Sequence, residues 1–151
     1  MIFPFLLPAF DLFFGLFLFL IGVYLIKKIK RNLQSIKVIK TVTLYRPVNP
    51  AELDLIKQSF YIEFPPRLKG EPFFYSVMNE EYATQITKKR NVSSYGAGYV
   101  LKFNIDADYI SKFDVKTVGG EIHKELWVPS EELEEFNSNI VGHIQVTQKY
   151  E

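Results

Sequence analysis

Residues 41–56, TVTLYRPVNPAELDLI, decide the fold class. The first six alternate and are rich in β-formers, which predicts a strand over 41–46. Pro47 and Pro50 then bracket a turn. Asn49 is placed to cap a helix whose first position is Pro50, where a missing N–H costs nothing. Leu53, Ile56 and Phe60 follow at helical spacing, giving a short helix over 50–59 with one apolar face.

The same punctuation continues downstream. Residues 64–70 (FPPRLKG) read as a loop and 72–77 (PFFYSV) as a strand. Asn79 is a second N-cap, opening a helix over 80–89 with Tyr82, Ala83 and Ile86 on one face. A strand over 99–105 (YVLKFNI) precedes a turn at 106–108, a strand over 110–115 and a Gly119–Gly120 turn. Strands over 125–128 and 141–148 flank a short helix over 130–136 capped by Ser130. About six strands and three short helices, with helices early and strands late, make an α+β domain rather than a doubly wound nucleotide fold.

The N-terminal segment has a different character. Residues 1–26, MIFPFLLPAFDLFFGLFLFLIGVYLI, hold one charge, Asp11, and run straight into KKIKR. A helix over residues 2–26 is long enough for a hydrocarbon core of about 30 Å, and the cations at 27–31 form a stop. The expectation is an uncleaved, single-pass transmembrane anchor with its N-terminus outside and the following domain cytoplasmic. A cleaved signal peptide fits less well, because the basic n-region is missing and the apolar stretch is long. Residues 1–31 then form the anchor with its basic stop, 32–40 a linker and 41–151 the soluble domain. Membrane lipid is the partner expected for residues 2–26, with any protein acceptor lying near the membrane.

Composition narrows the chemistry. The net charge of +1 gives no broad basic surface, so no nucleic-acid partner is expected. The absence of cysteine excludes disulfides, thiolate nucleophiles and Cys-based metal sites. Two histidines, His123 and His143, are too few and too far apart to suggest zinc, and no metal is expected.

Three stretches carry the functional signal: Leu44-Tyr45-Arg46 followed by NPAEL, the run GEPFFYS over 70–76, and EIHKELWVP over 121–129 followed by SEELEEFN and IVGHIQV. In order and spacing they resemble the ADP-ribosyltransferase superfamily, most closely its toxin-type domains with an Arg-Ser/Tyr-Glu arrangement, across nearly all of the soluble part. The resemblance implies a small mixed β domain that uses NAD as substrate, either transferring ADP-ribose to an acceptor or hydrolysing NAD. It implies that Arg46 binds NAD and that Tyr75 or Ser76 shapes the nicotinamide pocket, since strand alternation sends one of the two into the cleft. It implies that Glu125 is catalytic, its carboxylate stabilising an oxocarbenium-like ribose. The family often has a second Glu two residues before the catalytic one. Here that position is His123, a candidate acid or base, with Glu121 two residues earlier again. The departure leaves plain NAD hydrolysis, a different acceptor, or an inactive membrane-anchored binding or scaffold domain open, as well as a small subunit of a membrane complex.

Overall fold

The computed structural model describes residues 7–34 and 38–151, with side chains for 14–31 and 38–151. It divides into two units, one containing the N-terminal helix α1 (Leu7–Gln34) and the other spanning Ile39–Glu151.

The expected transmembrane, single-pass anchor is corrected here. Among the described residues no helix is long and apolar enough to cross a membrane. Over residues 14–31 the apolar run stops at Ile26, because Lys27, Lys28, Lys30 and Arg31 follow. Residues 2–6, with which the expected span begins, and the side chain of Asp11 lie outside the described residues.

The second unit is α+β, as its punctuation predicts. Its elements are β1 (Thr41–Val48), α2 (Pro50–Gln58), β2 (Phe73–Val77), α3 (Glu80–Ile86), a π-helical turn (Thr87–Val92), α4 (Ser93–Tyr95), β3 (Gly98–Asp106), α5 (Ala107–Ile110), β4 (Val115–Thr117), β5 (Lys124–Pro129), a 3-10 turn (Ser130–Glu132), α6 (Leu133–Ser138) and β6 (Ile140–Tyr150). The strands form one sheet in the order β4-β5-β2-β1-β3-β6, with every neighbouring pair antiparallel.

Both predicted asparagine caps are in place. Asn49 accepts from the Glu52 N–H at 2.8 Å and Asn79 from the Tyr82 N–H at 2.8 Å. α2 lays Leu53 and Ile56 against one face of the sheet, and α6 lays Leu133 and Phe136 there too. With Phe64, Phe74 and Phe103 they make a ring-rich core in which Phe64 sits 4.9 Å from both Phe74 and Phe103. A smaller cluster, Val77, Ala83 and Val100, lies under α3 and packs against Tyr45, Tyr82, Ile86 and Tyr150.

Several local expectations change. Phe60 is not on the apolar face of α2: it lies beyond the helix C-terminus at φ +57° and is 80% exposed. The strand expected over 110–115 does not form: Ile110 ends α5, which Asp106 caps by accepting from the Asp108 and Tyr109 N–H groups, and only Val115 of that stretch is in a strand, as the first residue of β4. Helical structure after Asn79 runs on through the π-helical turn to Tyr95. Ser130 makes no capping hydrogen bond. Pro47 sits inside β1 rather than in a turn.

Candidate functional site

The site begins where the sheet opens. β1 and β3 pair along their whole length, but β1 and β2 share a single rung, Tyr45 opposite Val77. In that register Pro47 stands opposite Tyr75, and a proline has no N–H to give to a ladder. The β2 carbonyls that face the gap are met by arginines. Arg46 donates through Nη1 to the Tyr75 carbonyl, and Arg67 donates through Nε to the Phe73 carbonyl at 3.2 Å. Two side chains thus replace the partner strand where β1 and β2 part.

A cleft of about 650 Å³ occupies this opening, a volume in the range of small-molecule sites. Arg46, Tyr75 and Glu125 all line it. β2 and β5 pair in full, with Tyr75 opposite Trp127 and Val77 opposite Glu125, so these four side chains share one face. Tyr75 and Trp127 meet edge to face, centroids 5.0 Å apart at 89°, and form an aromatic wall.

Glu125 is held at both oxygens. The Tyr82 hydroxyl donates to Oε1 at 2.7 Å, and the Trp127 indole N–H donates to Oε2 at 2.8 Å. These two bonds fix the orientation of the carboxylate. The Tyr82 phenol is pushed up to about 12, first by burial and then by its bond to Glu125.

Arg46 is buried, and its Nε and Nη1 both have partners. Its Nε pairs with Glu52 Oε1 at 2.7 Å, and its guanidinium carbon lies 4.3 Å from the centroid of the Phe74 ring. Burial pushes its pKa below the ordinary arginine value, and the neighbouring Glu52 opposes that shift. Arg67 is similarly engaged, with Nη2 2.6 Å from Glu71 Oε2.

Alternation resolves the pair on β2. Tyr75 faces the cleft, whereas Ser76 is wholly buried on the opposite face, and its Oγ has no hydrogen-bond partner among the described residues. His123 is not a cleft wall. Its Nδ1 accepts from the Gly120 N–H at 3.1 Å, which leaves the ring proton on Nε2, 3.2 Å from Gln85 Oε1. It reaches the site only through Tyr82, on which it stacks with centroids 4.4 Å apart.

Sequence reasoning did not single out Tyr82, Arg67, Arg90, Asn91 or Trp127, all of which line the cleft. For Trp127 a signal was present, since it stands two residues after Glu125 on a strand and must share its face. The others come from α3, the π-helical turn and the loop before β2, and carry no motif. Among the described residues no group of His, Asp or Glu is arranged to hold a metal ion. Comparison of the chain with family models, with curated proteins and with solved structures finds no match.

Proposed function

We propose that the Ile39–Glu151 unit is an ADP-ribosyltransferase-like domain that takes NAD into the cleft between β1 and β2 and breaks its nicotinamide–ribose bond. The observation that carries this reading is the convergence of Arg46, Tyr75 and Glu125 on one cleft from three strands. The C1′–N bond breaks with its electron pair leaving on nicotinamide. Water, or a nucleophilic group of an acceptor, forms the new bond to C1′ and gives up a proton. Glu125, held in place by the Tyr82 hydroxyl and the Trp127 indole, supplies negative charge beside the cationic ribose. Tyr75 and Trp127 offer ring faces and edges to the nicotinamide.

The test is nicotinamide release from NAD by the full chain in mild detergent, wild type against Glu125→Ala. Removal of a principal electrostatic stabiliser lowers the rate by about two orders of magnitude or more. Equal rates overturn the assignment of Glu125, and no turnover by folded wild type overturns the enzyme.

One observation favours a second reading, a non-catalytic binding module of the same shape. Arg46 directs Nε to Glu52 and Nη1 to the Tyr75 carbonyl, and both Glu125 oxygens already have partners. NAD binding without turnover is the outcome that selects it.

Lipid is the proposed partner of α1. From Phe14 to Ile26 its large apolar side chains are exposed, and the cations at 27, 28, 30 and 31 adjoin them. Apolar side chains beside a basic cluster suit a membrane carrying anionic headgroups. Flotation with anionic but not zwitterionic vesicles, weakened when the four cations are replaced by Gln, is the expected result. Equal flotation with both kinds of vesicle removes the electrostatic part of the reading.

A further inference from the structure

We infer that Arg90 and Asn91, on the π-helical turn, form the phosphate subsite of the cleft and take the phosphate or pyrophosphate group of its ligand in place of Arg46. The inference rests on the nucleotide reading above and changes which residue meets the ligand's negative charge.

Three arginines line the cleft, and two of them are committed. Arg46 serves Glu52 and a β2 carbonyl, and Arg67 serves Glu71 and the next β2 carbonyl on the same side. Freeing either guanidinium for an anion would take the partner from a carboxylate and leave a main-chain acceptor unsatisfied. Arg90 differs. It is exposed, and it has no carboxylate or carbonyl partner among the described residues. Its five N–H donors are uncommitted, and a planar fork of this kind matches phosphate oxygens.

Asn91 supplies an independent observation. Its Nδ2 is shielded from solvent and has no hydrogen-bond partner among the described residues, although the residue lines the cleft. A side-chain amide left this way is costly, and turning the Asn91 amide into the cleft, where a ligand oxygen can meet it, removes that cost. The backbone that carries both residues is held firmly. The Thr87 hydroxyl donates to the Ala83 carbonyl at 2.8 Å, and Gly98 lets β3 pass against the Thr87 and Asn91 side chains. π-Helical turns recur at functional sites because they displace side chains from regular helical positions. Here the turn brings Arg90 and Asn91 to the cleft that Tyr82 also lines.

The test uses the full chain in mild detergent, with emission of its single tryptophan, Trp127, as the readout. Inorganic pyrophosphate and NAD are titrated separately into wild type, Arg90→Ala, Arg90→Lys, Asn91→Ala and a control, Lys89→Ala. Pyrophosphate is expected to bind wild type and the control alike, and to bind Arg90→Ala at least about tenfold more weakly, with Arg90→Lys between them. Asn91→Ala weakens binding to a smaller extent. Circular dichroism of Arg90→Ala, a surface change, confirms that it is folded. If wild type binds NAD and Arg90→Ala binds it equally well, the subsite is wrong and the nucleotide reading stands. If pyrophosphate binds through Arg90 and NAD does not bind, the subsite stands and the nucleotide reading falls. If neither compound binds wild type, both fall.

Discussion

Arg46 Nε lies 2.7 Å from Glu52 Oε1, and the same guanidinium donates to the main-chain carbonyl of Tyr75. One side chain thus ties the N-terminal turn of α2 to β2 across the point where the sheet opens. Its charge is buried against Phe74, so the pair is a brace for the cleft before it is a ligand contact.

Replacing Arg46 therefore acts mainly on stability. Arg46→Ala leaves Glu52 partly buried without a partner and the Tyr75 carbonyl unpaired. Breaking a buried pair from one side costs about 3–5 kcal/mol. Urea unfolding followed by Trp127 fluorescence measures this, and a loss under about 1 kcal/mol contradicts a bracing role.

How far this arrangement was legible in the sequence depends on the scale of the cause. Asn49-Pro50 and Asn79 marked helix starts because a cap acts within three residues, and both caps are observed. The strands were legible from alternation, yet alternation could not say which of Tyr75 and Ser76 enters the cleft. That choice follows from pairing with Trp127, which lies far along the chain. Pro47 looked like a turn residue because prolines are poor ladder members. It stays in β1 because β2 has parted there and arginines satisfy its carbonyls. The expected transmembrane anchor was drawn from hydropathy over residues that extend beyond those described, and the described apolar run ends at Lys27.

The Tyr82–Glu125 bond predicts an alkaline weakness. The phenol's pKa rises from its ordinary 10.0 to about 12 in the fold, so the folded state keeps its proton after the unfolded chain has lost one. This contribution to stability is complete below pH 10 and is lost as pH rises through about 12. Chemical denaturation of wild type and Tyr82→Phe across that window should show wild type losing more stability than the variant. Parallel curves exclude Tyr82 as the group responsible.

Phe60 is a phenylalanine at φ +57°, beyond the C-terminus of α2, with its ring in solvent. A side chain in the left-handed region costs about 1–2 kcal/mol, and asparagine tolerates it better. With almost no packing to lose, Phe60→Asn is expected to stabilise the protein by about 0.5–1 kcal/mol. A fall in the urea midpoint would show that the Phe60 ring makes contacts that outweigh the strain.

Gly98 is constrained from the opposite direction. A Cβ there would lie 2.6 Å from Asn91 Cβ and 2.7 Å from Thr87 Cγ2, both short atoms on the π-helical turn and unable to swing away. Gly98→Ala must therefore push that turn off β3, at a cost of about 1–3 kcal/mol for overpacking. Because the turn carries Arg90 and Asn91, the displacement also weakens pyrophosphate binding, although position 98 does not line the cleft. Loss of stability with unchanged pyrophosphate affinity would separate the packing of the turn from the binding role of its side chains. Loss of both, with Gly98→Ala still folded, ties the close approach at Gly98 to the shape of the site.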